Sequence, residues 1–143
     1  MKSNHTQNYL NHKKITPLQH YILMPLAMIL FILAVINIIA SKGTLPSILF
    51  LLTALSIIIL GILTRMYALK LQDRMIWSEV NSRHLQLTGK PIDAKLHLGQ
   101  AIALRFAEDD EFLPLCERAV KEGMTPDSIK RQISRWRADL WRV

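Results

Sequence analysis

The sequence predicts an all-α fold: a transmembrane helical hairpin whose second helix is extended into a small cytoplasmic helical bundle. Three observations predict it. Residues 20–40 and 46–64 each hold roughly 20 positions without a charged side chain, enough helix to cross about 30 Å of hydrocarbon. Only residues 41–45 separate these runs, so the two spans must be antiparallel. No Gly or Pro occurs between residues 62 and 88, so the second span meets no stop signal where its apolar run ends.

Half of the 143 residues are apolar, and they are concentrated in the hairpin. The single Cys116 excludes an intramolecular disulfide and any cysteine-only metal site. A net charge of +7 would point first to nucleic acid on a soluble chain. Here it reads as topology, because Lys and Arg accumulate on the cytoplasmic side of spans. Lys13 and Lys14 precede the first run, Arg65, Lys70 and Arg74 follow the second, and the connecting loop holds only Lys42. Both termini are therefore expected in the cytoplasm. The first run starts too late and runs too long for a signal peptide, and Ile39-Ala40-Ser41 is a poor cleavage site, so the span is expected to stay uncleaved.

Residues 1–16 form a polar arm. Thr16-Pro17 has the pattern of a helix start, a capping hydroxyl followed by Pro in the first turn. His5, His12 and His20 lack the companions and spacing of a zinc site, and no metal is expected there. His20 and Tyr21 suit the headgroup layer. Residues 17–64 are the hairpin, with Pro25 in the opening turns of the first span, where a missing donor costs little. Asn37 is the polar residue of that span. Its amide wants a partner in hydrocarbon, and Thr53 on the second span is about one turn from its expected neighbour. Such a contact would contribute about 0.6 to 1.7 kcal/mol. Two other readings hold Asn37 in water at the outer interface or make it the centre of a homodimer. Gly43 and Pro46 punctuate the turn.

Residues 65–88 are expected as a cytoplasmic extension of the second span, one helix from about residue 47 to residue 87, closed by Gly89-Lys90-Pro91. Met66, Leu69, Ile76, Val80 and Leu87 form an apolar stripe, with Asp73 and Arg83 in the remaining positions. Residues 93–143 read as three short helices, over about 96–107, 112–121 and 125–141. The last is lined by Ile129, Ile133, Trp136 and Leu140. So small a module is marginal alone, and the stripe supplies its platform. Docking is expected to bring Met66, Leu69, Ile76 and Val80 against residues after 95. Asp73 would meet a basic residue of the module, and Arg83 an acid such as Asp109 or Glu111.

The chemistry-bearing patterns are weak. The acidic run from Glu108 to Glu111 lacks the alternating ligands of a calcium loop and suits a helix start. Cys116 shares a face with Phe112 and Val120 and reads as a core thiol. No nucleophile elbow, phosphate loop or dinucleotide fingerprint is present, so no catalysis and no cofactor are expected. Basic residues stand out. Arg65, Lys70 and Arg74 beside the membrane, and Lys130, Arg131, Arg135 and Arg137 with Trp136 and Trp141 near the end, could contact anionic headgroups or a partner. An alternative is nucleic-acid binding: residues 112–141 have the rhythm of a helix-turn-helix with a basic second helix.

Several stretches together carry a resemblance. They are Gln7-Asn8-Tyr9, Ala68-Leu69-Lys70, Gln72-Asp73-Arg74, Leu87-Thr88-Gly89-Lys90, the run from Gln100 to Phe112, and Trp136-Arg137-Ala138-Asp139. With these the chain resembles, over nearly its whole length, a family of small bacterial two-span membrane proteins classed as a domain of unknown function. The resemblance implies a bacterial cytoplasmic membrane and two spans. It carries over no activity, cofactor or site residue. The expected role is a membrane-anchored interaction or scaffold module touching the lipid bilayer and a protein partner.

Overall fold

The computed structural model describes residues 8–9 and 16–139. It is all-helical: a π-helical segment Leu18–Leu23, then α1 (Met24–Ala40), α2 (Leu45–Thr88), α3 (Leu98–Leu104), α4 (Asp109–Lys121) and α5 (Pro126–Gln132). No strand occurs among the described residues; Ala107 and Trp136 form one isolated antiparallel bridge. The chain divides into two compact units, with the boundary inside α2 between Leu69 and Lys70.

The first unit is the hairpin. Pro25, near the start of α1, has no backbone N–H to offer the Tyr21 carbonyl, and the chain just before it takes the wider π spacing. Thr16 was the expected cap, but its buried hydroxyl makes no hydrogen bond; the His20 ring instead bonds the Thr16 carbonyl at 3.0 Å. The turn is tight because Lys42 (φ 54°) and Gly43 (φ 75°) both take the left-handed conformation. This lets the Gly43 N–H reach back to the Ile38 carbonyl. Small residues line the helix–helix seam. Ala27 and Ala34 on α1 are buried, as are Ser47 and Ala54 on α2. Gly61 continues the seven-residue spacing of α2, with Leu23 and Met24 against it and Gln19 donating to its carbonyl. Small side chains let two helix backbones approach closely. Large side chains point outward instead, among them Leu26, Ile29, Leu33, Ile36, Leu52 and Leu60. The hydroxyls of Thr53, Ser56 and Thr64 donate to carbonyls one turn earlier in their own helix, so they need no outside partner.

The second unit holds the end of α2, α3 to α5, the following residues to 139, and Asn8–Tyr9 of the arm. Ile76 and Val80 of α2 enter a core with Leu104, Phe106, Phe112, Leu115, Ala119 and Ile129. Met66 and Leu69, expected on the same footing, are exposed. Gly89 (φ 72°) ends α2, and the chain folds back so that the Ile92 N–H donates to the Asn81 side chain. Gln100 is buried with all three bonds satisfied. It accepts from the His97 N–H and donates to the carbonyls of Ala119 and Met124. One amide thus ties α3 to the end of α4 and to the next turn. Thr125 caps α5 through the Ser128 N–H, with Pro126 in the first turn.

The last helix is shorter than its periodicity suggested. It stops at Gln132, and Ile133 is already extended. The Glu111 carboxylate accepts the N–H groups of Ser134 and Arg135, and the Phe106 carbonyl accepts that of Arg137 at 2.7 Å. These donors are spent on other parts of the unit, so the chain leaves the helix. The expected helix over 96–107 is likewise trimmed to seven residues by a tight turn at Phe106 and Ala107.

Candidate functional site

The end of α2, the start of α4 and the extended tail enclose an open cleft of about 640 Å³. Helix α2 contributes Glu79, Val80, Ser82, Arg83, Gln86 and Leu87; Arg105 follows α3; Asp109 opens α4; the tail adds Arg137, Ala138 and Asp139. Three guanidiniums therefore share the cleft with three carboxylates. Two of the arginines are committed. Arg83 lies 2.6 Å from Asp109, donates to the Ala107 carbonyl at 2.7 Å, and stacks over the Phe112 ring at 4.4 Å. Arg105 pairs with Asp139 at 3.3 Å and stacks over Phe106 at 4.5 Å. Arg137 is exposed and forms no ion pair among the described residues, although its backbone is fixed by the bond to Phe106. The site thus offers one guanidinium fork without an ion-pair partner among the described residues, beside Val80 and Leu87.

Elsewhere, two of the basic residues singled out from the sequence have an acidic partner. Arg131 bonds Asp127 at 2.8 Å and covers the Tyr9 ring; Arg135 pairs with Asp110. Trp136 lies on Phe106 with ring centres 5.0 Å apart, so its body is taken up inside the unit. Lys130 is half-buried, Arg65 is partly buried in the other unit, and Lys70 and Arg74 are exposed. Trp141 lies outside the described residues. Of the two charges expected to dock the module, Arg83 meets Asp109, whereas Asp73 makes no ion pair among the described residues. Asn37 and Thr53 are both exposed, and the Thr53 hydroxyl bonds Leu49, so the structure does not bring the two together.

Burial pushes the Cys116 thiol up to about 12, which keeps it protonated and unreactive near neutral pH. Tyr9 donates to Asp127 at 2.7 Å. That bond, with Arg131 beside it, holds the Asp127 carboxyl below its ordinary range and raises the Tyr9 phenol. No group of three or more metal-ligating side chains occurs among the described residues. Gln100, Arg105 and Glu111 tie distant parts of the unit together, a role the sequence pattern does not announce. Their partners are distant in sequence; an amide or a charge among apolar residues is the only signal at Gln100 and Arg105, whereas Glu111 stands in an acidic run and bonds the tail amides where a pair with Arg83 was the expectation.

The chain belongs to a family of unknown function, DUF6526, which it matches over residues 1–143. No curated protein and no solved structure matches it.

Proposed function

We propose that this DUF6526 chain is a two-span integral membrane protein that holds an interaction module at the cytoplasmic surface of a bacterial inner membrane. One observation carries the anchoring. Both long apolar helices have only 11% of their most apolar window buried within the chain. The core helix of a soluble protein would hide that surface, because exposing it costs about 25 cal/mol per Å². A bilayer covers it instead. The Tyr9–Asp127 bond supports a common side for the two ends, since one residue precedes the first span and the other follows the second. The basic residues flanking the hairpin favour the cytoplasm as that side.

The cleft supports the interaction role. Arg83 and Arg105 are held by internal partners and shape it, while Arg137 presents an open fork to an acidic side chain or terminus of a partner protein. Alkaline extraction tests the anchoring: the chain stays with the membrane pellet. Purification in mild detergent tests the role: a partner that accompanies the native chain is lost from Arg137→Ala. Release into the alkaline supernatant contradicts the anchoring. Unchanged recovery of the partner contradicts the cleft as its seat.

A further inference from the structure

We propose that the exposed face of the end of α2 pairs with the same face of a second copy of this chain, in a parallel two-stranded coiled coil. The module covers one side of this helix, through Ile76, Val80 and Arg83. At about 100° per residue, the opposite side carries Leu71, Met75, Ser78, Ser82 and Leu85, spaced four, three, four and three; Ser82 and the flanking Glu79 also stand at the α2 edge of the cleft. That is the seam rhythm of a coiled coil, and every one of these side chains is exposed. Leu71 is 62% exposed and Met75 64%, the opposite of what a solvated face of a small module needs from its largest apolar side chains.

Charge selects the occupant. With Met75 and Ser82 at the first seam position of each heptad, Arg74 and Glu79 fall on the two flanks. In a parallel pair, a residue on the first flank faces the residue five further along on the other chain, so Arg74 meets Glu79 of the second copy, twice by symmetry. Both are exposed, and neither forms an ion pair among the described residues. The next equivalent pair, Asn81 and Gln86, adds no charge, and the Asn81 amide oxygen is already taken by the Ile92 N–H. An antiparallel pair would lose the match of Arg74 with Glu79. The parallel direction also rests on the anchored reading, because two copies in one membrane send α2 out on the same side. Two heptads with serines at the centre make a weak seam in free solution, and confinement to a membrane raises the effective concentration that sustains it.

Disulfide crosslinking of the full chain in native membranes tests this. Met75→Cys and Ser82→Cys should each give a crosslinked dimer, because a two-fold seam sets each position against itself. Lys95→Cys, exposed and off the seam, should not, and the unaltered chain is the blank because Cys116 is buried. Adding Arg74→Glu to Met75→Cys should cut the crosslink several-fold, and adding Glu79→Arg as well should restore it. Absence of a crosslink at both seam positions overturns the pairing, as does a crosslink indifferent to the charge reversal or not restored by the double change. Alkaline extraction of the same samples separates the two claims: a chain that stays in the pellet without crosslinking overturns the pairing alone, and a chain released by alkali overturns the anchoring alone.

Discussion

Tyr9 and Asp127 are joined by a 2.7 Å hydrogen bond across 118 positions of chain. The bond straps the segment before the hairpin to the first turn of α5, and Arg131 closes it by covering the tyrosine ring and pairing with the same carboxylate. The bond is exposed to solvent, so it fixes Tyr9 against α5 and adds little to the stability of the core. Tyr9→Phe should therefore speed protease cleavage of the arm and leave the thermal unfolding of the module unchanged.

The strap has a pH window. Asp127 is held low, first by the Tyr9 hydrogen bond and then by Arg131, so its contribution is present above the unfolded carboxylate range and is lost as pH falls through the lower folded value. Tyr9 is held above its ordinary value of 10.0 by the same bond, so its contribution is full below that value and is lost as pH rises through the folded one. Phenolate absorbance should show a tyrosine titrating late in the native chain. That late component should be absent from Tyr9→Phe and should shift down in Asp127→Asn.

Arg83→Ala removes an ion pair, a hydrogen bond to a backbone carbonyl and a stack on Phe112 in one step. Asp109 is 62% exposed, so the charge pair itself is screened, and most of the loss comes from the carbonyl and the ring. The expected cost is about 1–3 kcal/mol, read by chemical denaturation of the chain in detergent. Asp109→Asn should cost less than half of that. Equal costs would mean that the pair, and not the packing of the guanidinium, holds the site.

Gln100→Leu should destabilise the module. It strips the partner from the carbonyls of Ala119 and Met124, at about 2–3 kcal/mol. Cys116 reports it. The thiol is buried and raised to about 12, so alkylation near neutral pH should be slow in the native chain and markedly faster in Gln100→Leu. An unchanged alkylation rate would contradict the tying role of the amide.

Much of the architecture is written in local pattern. Two uncharged runs and a five-residue gap specify the paired apolar helices. The absence of Gly and Pro between residues 62 and 88 lets α2 run on to Gly89, and Thr125-Pro126 specifies the start of α5. Arg83 was legible because a charge in an apolar stripe demands a partner, and acids open α4. The tail was not legible. Ile129, Ile133 and Trp136 fit a helical face, but the Glu111 carboxylate and the Phe106 carbonyl claim the amides that a helix would need. Those acceptors are more than twenty positions away, and no local pattern announces them. The cleft inherits this: its α2 wall is readable, and its tail wall depends on where the helix gives way.

Sidedness is the most direct test of the account. Lys42→Cys, in the turn between α1 and α2, should react with a membrane-impermeant maleimide in intact cells if the proposed topology holds. Lys121→Cys, exposed at the end of α4, should react only after permeabilisation, with the buried Cys116 of the unaltered chain as the blank. Labelling of Lys121→Cys but not Lys42→Cys in intact cells would contradict the cytoplasmic placement of the module, and labelling of neither until permeabilisation would contradict the hairpin itself.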